Sequence, residues 1–254
     1  MRKLVFSLTL IVALSSCDTK FSRKDHSMYW QKNATEYKAL CIQAYNSAKL
    51  ELDRVLAMDR DKPIAVVADI DETVLNNLPY NEMLIEKDLS FSQTTWSEWV
   101  NKEIATAIPG ALDFYTYAER MGVEVIYISN RRVENYAPTK SNLMALGFPF
   151  DEDTIMLLRD QTSSKEERRN QLTDFDVVLF LGDNLSDFDS VFDIEKISTL
   201  ISISKFFFFR GFKKAYFLGF SNLIDHVNHH RGHSPFMILI WAKNIEKFKP
   251  YDLV

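Results

Sequence analysis

The sequence predicts an α/β fold in which a parallel sheet is flanked by helices and carries a small helical cap, and three observations lead there. Ile64-Ala-Val-Val-Ala68, Val123-Glu-Val-Ile-Tyr-Ile128 and Asp176-Val-Val-Leu-Phe-Leu181 have the length and β-branched content of buried strands. Each ends in polar residues suited to chemistry. The stretch before the first strand has helical spacing, and another helix is expected from near Pro109-Gly110. Finally, 254 residues that are 46% hydrophobic can bury one sizeable core with room for a cap, but not comfortably two full domains.

From the start, Met1-Arg2-Lys3 is basic and Leu4 to Leu14 is apolar but too short to span a bilayer comfortably, so residues 1–16 are expected to be a signal peptide. Leu14-Ser15-Ser16-Cys17 resembles the bacterial lipobox, whose cysteine is diacylated and becomes the new N-terminus. Cys17 is therefore expected to anchor the chain to a membrane; the bland reading is a plain secretory signal with a fortuitous cysteine. Acyl chains would hold the protein at a bilayer surface without spanning it. This places it in a bacterial cell envelope, with the outer membrane favoured over the inner. Of the two cysteines, Cys41 then stands alone and no disulfide is expected. The polar stretch 17–32 reads as a tether. From Ala34 to Met58, apolar residues including Tyr37, Leu40, Cys41, Ala44, Tyr45, Ala48, Leu52, Val55 and Leu56 recur at helical spacing, and Cys41 on that stripe reads as inert core.

The first strand delivers Asp69 and Asp71 together where the backbone leaves the sheet. Burying either carboxylate alone is costly, so the pair calls for a metal, a cationic side chain or both. The bland alternative is a helix N-cap at Asp71 or Thr73. Residues of about 75–107 show no strand signal and read as a helical cap containing Tyr80, Phe91, Trp96 and Trp99. At least one tryptophan should be core, while Trp96 is the candidate to stack on a substrate ring. The second strand runs into Ser129-Asn130-Arg131-Arg132. Thr154-Ile-Met-Leu-Leu158 precedes a polar loop with Lys165, and the last strand runs into Gly182-Asp183-Asn184-Leu185-Ser186-Asp187. Ligands in open α/β sheets sit beyond the carboxyl ends of the strands, so these four ends can share one site.

In order, Asp69-Ile-Asp71-Glu72-Thr73, Ile128-Ser129-Asn130-Arg131, Ser163-Ser164-Lys165-Glu166 and Gly182-Asp183-Asn184-Leu185-x-Asp187-Phe188 match the four motifs of the haloacid dehalogenase superfamily. The span from about Tyr37 to Asp193 resembles the bacterial class C acid phosphatases of the outer-membrane lipoprotein e type. The resemblance implies a haloacid dehalogenase-like fold over about residues 33–200 and a phosphatase using magnesium (Mg2+). It implies Asp69, the Asp71 backbone carbonyl and Asp183 as metal ligands, with Asp187 close behind. Ser129, Asn130 and Lys165 would bind phosphate. Asp69 would attack phosphorus, and Asp71 would act as general acid and then base, with neighbouring acids expected to help it keep a proton. Asp189 is expected on a solvated helix face.

A formal net charge of −5 leaves no basic footprint for a nucleic-acid polymer. The expected substrate is a small phosphomonoester such as a 5′-nucleotide; the oligomeric state, a dimer among the options, stays open. Beyond about Ile197 the resemblance stops: the Tyr-Gly-Asp-Trp type ending is missing, and His226, His229, His230 and His233 crowd the tail without regular ligand spacing. Residues 201–254 are accordingly read as divergent or frameshifted, with the last sheet strand at risk. Two other functions stand beside the first. One is a surface lipoprotein that binds a small ligand or haem without turnover; the other is a sugar phosphatase or phosphotransferase on the same scaffold.

Overall fold

The computed structural model of the chain describes residues 23–192 together with 215–216 and 239–242. The expected signal peptide, Cys17, and the histidine-rich part of the tail lie outside the described residues. Helix α1 (Arg23–Asn33) is followed by α2 (Thr35–Leu56), then by strand β1 (Ile64–Ala68). The cap segment contains β2 (Leu75–Asn76), α3 (Leu78–Glu86), α4 (Gln93–Val100) and β3 (Thr106–Ala107). The chain returns to the sheet through α5 (Ala111–Arg120), β4 (Glu124–Arg132), α6 (Tyr136–Ala145), β5 (Met156–Arg159), α7 (Glu166–Asn170) and β6 (Asp176–Gly182). Two strands from the tail follow, β7 (Ala215–Tyr216) and β8 (Leu239–Ala242).

The sheet order is β5-β4-β1-β6-β8-β7. The first four strands are parallel, whereas β8 runs antiparallel to β6 and β7 antiparallel to β8. The expected parallel sheet thus forms the core. The tail does supply sheet strands, since the apolar run Leu-Ile-Trp-Ala covers the edge that β6 would otherwise expose.

Strand alternation divides the interior in two. Val66, Ala68, Val125 and Tyr127 join the cluster with α2 and α5, while Ala65, Val67, Ile126 and Ile128 pack with Leu172, Phe180 and Phe188 on the other face. Both faces of these strands are buried in apolar clusters, which is why the strands read as continuous hydrophobic runs. α2 buries Tyr37, Cys41, Ala44, Tyr45, Ala48, Leu52 and Val55 in the core, as the spacing required, while Leu40 and Leu56 of the same stripe are half-buried. Gly110 lets α5 approach α2 closely: its φ is 86°, and a β-carbon there would lie 3.2 Å from the Ile42 main chain.

Two segments have local structure that the sequence did not announce. The second half of the polar stretch 17–32 is helical, as α1. Its Lys32 pairs with Glu82 at 2.6 Å, Gln31 donates to the Tyr37 hydroxyl at 3.2 Å, and Trp30 packs edge-on against Tyr37. Few residues make those contacts, so composition alone read as tether. The cap also contains strand: Leu75 and Asn76 pair antiparallel with Ala107 and Thr106, closing its base. A pair of two-residue strands has no periodicity to announce it.

Candidate active site

At the end of β1 the chain turns back on itself rather than entering a helix. The Asp69 amide donates to Leu181 O at 2.8 Å, locking the strand end to β6. Val74 N and Leu75 N both donate to Ile70 O, Glu72 N donates to Leu75 O, and Glu72 takes a left-handed φ of 56° to close the turn. The N-cap alternative for Asp71 and Thr73 is therefore set aside. The next helix, α3, starts after Asn77. The turn aims Asp69 and Asp71 at the mouth together.

Asp69, Asp183 and Asp187 are all buried, and each places a carboxylate oxygen within 4.8 Å of the others. Asp183 leaves the end of β6. Asp187 closes the following 3₁₀ turn, where Asp187 Oδ2 accepts from Asn184 N at 3.0 Å and the Asn184 side chain accepts from Ser186 N. Arg169 donates to the carbonyls of Ser186 and Asp187 and pins the turn from outside. Lys165, at the start of α7, is 3% exposed and inserts its ammonium between Asp69 Oδ1 and Asp187 Oδ1, the latter at 2.7 Å. Residues 96 positions apart thus share one ion pair.

Burial dominates the electrostatics. It pushes the Asp69 carboxyl up to about 7; Lys165 works against that, and Asp187 and Asp71 reinforce it. Asp183 is also raised, by burial first and then by Asp187, Asp69 and Glu72. For Lys165, burial favours the neutral amine, but Asp187 and Asp69 outweigh it and raise the pKa. Three buried carboxylates against one ammonium leave the cluster short of positive charge. Its donors are all hard oxygens, so the set fits a divalent cation of the magnesium class.

Asp71 is 14% exposed and lies in different surroundings. The crowd of acids expected around it gathers on Asp69 instead. Asp71 Oδ1 accepts from Arg131 Nε at 3.0 Å, Arg131 Nη2 at 2.9 Å and Asn77 Nδ2 at 2.9 Å, while Oδ2 has a long 3.4 Å bond from Ser129 Oγ. Ser129 is fully buried within β4, and its Oγ also accepts from Arg131 N at 3.1 Å. Asn130 is exposed; its Oδ1 accepts from Arg168 Nη2 at 2.7 Å, which leaves the amide NH2 aimed away from that arginine. Trp96 is 8% exposed, packs edge-on against Tyr80 at 5.0 Å, and lies 5.6 Å from the Arg131 guanidinium carbon. Asp69, Lys165, Asp183 and Asp187 form one cluster, and Asp71, Ser129 and Arg131 form a second, near enough that the Asp71 charge acts on Asp69; Asn130 follows Ser129, and Trp96 lies behind Arg131.

Three side chains of this site carried no assigned role in the sequence: Asn77, Arg131 and Arg168. Arg131 stood inside a quoted motif, and strand alternation puts it on the Ser129 face. Arg168 is buried and bridges the Ser129 carbonyl and Asn130 to the carbonyls of Ser163 and Ser164, joining the C-terminal part of β4 to the loop that carries Lys165. Within Glu166-Glu167-Arg168-Arg169 it looked like ordinary helix charge.

The family model described as HAD superfamily, subfamily IIIB (acid phosphatase), matches residues 10–209. The chain belongs to this family. Among solved structures, the class C acid phosphatase from Bacillus anthracis with tungstate bound is 39% identical, with a TM-score of 0.65, covering 71% of this chain and 77% of that one. Among curated proteins, a stem 31 kDa glycoprotein of Glycine max is 33% identical over 46% of this chain and 49% of its own length. Acid phosphatase 1 of Solanum lycopersicum is 29% identical over 55% of this chain and 61% of its own length. The chain spans about half the length of the soybean relatives it matches. The HAD IIIB relatives thus include plant proteins as well as the bacterial group that the motifs resemble.

Proposed function

We propose that the chain is a metal-dependent acid phosphatase that hydrolyses small phosphomonoesters through an aspartyl-phosphate intermediate. The observation that carries this reading is the Lys165 ammonium seated between Asp69 and Asp187, in a buried carboxylate cluster near enough to Asp71 for the Asp71 charge to act on Asp69. Asp69 attacks phosphorus; as that P–O bond forms, the bond to the leaving oxygen breaks, and Asp71 supplies its proton. Asp71 then takes a proton from the water that cleaves the acyl phosphate. Lys165, the Ser129 hydroxyl and the Asn130 amide hold phosphoryl oxygens while charge spreads over them. The family membership and the tungstate-bound relative support the same reading, since tungstate is a tetrahedral oxyanion like phosphate.

Asp69, the Asp71 carbonyl and Asp183, with Asp187 behind, would hold Mg2+, which when bound neutralises phosphoryl oxygens beside the nucleophile. The substrate is a 5′-nucleotide or a similar monoester; Trp96, buried among Tyr80, Phe91 and Arg131, would have to be uncovered to stack on its ring. Lipidated Cys17 anchors the enzyme in the cell envelope at the outer membrane.

Hydrolysis of p-nitrophenyl phosphate at mildly acid pH, with and without EDTA, tests the activity. The parent should turn over and lose activity with chelator, and Asp69→Asn should be inactive. An Asp69→Asn variant as active as the parent removes the proposed nucleophile. Turnover on nucleotides against sugar phosphates ranks the substrates, and lipid labelling that survives in Cys17→Ser would exclude the anchor.

A further inference from the structure

Asp71 is held from one side only. Its Oδ1 receives both Nε and Nη2 of Arg131 and the Nδ2 of Asn77, all within 3.0 Å, whereas Oδ2 has a single contact of 3.4 Å with the Ser129 hydroxyl. Arg131 cannot swing away. It is 2% exposed, its Nη1 donates to Thr139 Oγ1 at 3.0 Å, and its guanidinium lies beside the Trp96 ring. Asn77 is equally fixed. The Trp99 indole N–H, which can only donate, reaches Asn77 Oδ1 at 2.9 Å and so orients the amide with its NH2 toward Asp71. The Asn77 main-chain amide is anchored on Glu72 at 3.0 Å.

We propose that Asn77 and Arg131 are positioning residues, a clasp that saturates Asp71 Oδ1 and leaves Oδ2 as the oxygen that meets the leaving group. This rests on the reading of Asp71 as the acid given above and adds the residues that aim it. Asn77 belongs to the cap, between β2 and α3, and its orientation is set by Trp99 of α4. The cap thereby fixes the acid as well as covering the mouth. Neither side chain needs to touch substrate. Without the clasp the Asp71 carboxyl can rotate about its side-chain bonds, and a group displaced by about 1 Å can lose about 100-fold in rate.

A poor leaving group needs the proton; a good one does not. The experiment therefore measures kcat/KM, which reports the step that breaks the ester bond, for an alkyl monoester such as glycerol phosphate and for p-nitrophenyl phosphate. Asn77→Ala should lower kcat/KM on the alkyl ester by about 10- to 100-fold and on p-nitrophenyl phosphate by less than about 3-fold. A role limited to holding the cap together would lower both alike or raise KM for both. Arg131→Lys, which keeps the charge but loses the two-pronged grip, should fall in the same direction, and Asn77→Ala made in an Asp71→Asn background should add nothing further. If Asp71→Asn discriminates between the substrates and Asn77→Ala does not, the clasp is overturned while the acid assignment stands. If Asp71→Asn itself shows no discrimination, the acid assignment fails and the clasp falls with it.

Discussion

The main chain at Gly182 lies directly beneath the side chain of Asp187: a β-carbon placed on Gly182 would come within 2.6 Å of Asp187 Cβ and 2.8 Å of its Cγ. The clash involves the root of the aspartate, so rotating its carboxylate would not relieve it. Gly182→Ala should therefore push Asp187 off Lys165 and off the Asn184 amide together. We expect turnover and divalent-cation affinity to fall by about 10- to 100-fold, the range for disturbing groups that orient a metal site. Calorimetric titration of the cation beside a phosphatase assay checks this, and an Ala variant with parental values for both would contradict it.

The raised Asp69 pKa gives the metal-free protein a definite pH dependence. The folded state holds this proton up to about 7, against 3.8 for the free group, so it binds more protons than the unfolded chain between those values. The stabilising contribution is complete below 3.8 and is lost as pH rises through about 7. Lys165 does not oppose this, because a pKa raised above 10.5 leaves it charged in both states throughout the window. In EDTA, the melting temperature should therefore be lower at about pH 8 than at about pH 5.5; the raised Asp183 acts in the same direction, so Asp69→Asn should shrink the difference without abolishing it. Added divalent cation should restore stability at the higher pH.

Cys41 should behave as core. Its thiol is 5% exposed and burial pushes it up to about 11, so little thiolate exists near neutrality. In a Cys17→Ser background, a disulfide reagent such as Ellman's should label the native protein slowly and the denatured protein at once. Fast labelling of the native form would show that α2 opens away from the sheet.

Much of the core was legible because its signals are local. A β-branched run followed by an acid or a serine marks both the strand and the residue it delivers, and this holds for Ala68-Asp69, Ile128-Ser129 and Gly182-Asp183. Convergence then follows from parallel topology, which carries the ends of β1, β4, β5 and β6 to one edge. Features set by distant partners were not legible. Asn77 and Arg131 lie 54 residues apart, and each is an ordinary polar residue until Asp71 stands between them. Alternation could have found Arg131, since it shares a strand face with Ser129 and Arg132 does not. The β2–β3 pair and α1 escaped because their stabilising contacts lie outside their own sequences.

Lys165 is the side chain whose loss should be felt in both stability and turnover. Its ammonium pairs with both Asp69 and Asp187. Removing one partner of a buried pair leaves the other charge stranded and typically costs about 3–5 kcal/mol. Lys165→Ala should thus melt well below the parent when metal-free at neutral pH. The deficit should widen as pH rises above neutrality, because without the opposing ammonium burial keeps Asp69 protonated to a higher pH than in the parent, and ionising it costs more. Lys165→Arg should keep more of the stability than Lys165→Ala. It should still fail in catalysis by about 100-fold or more, since a planar fork cannot occupy the point between two carboxylates that a compact ammonium fills. Melting curves at two pH values, set beside kcat on p-nitrophenyl phosphate, separate these effects. An Arg variant with parental kcat would mean that Lys165 contributes only its charge.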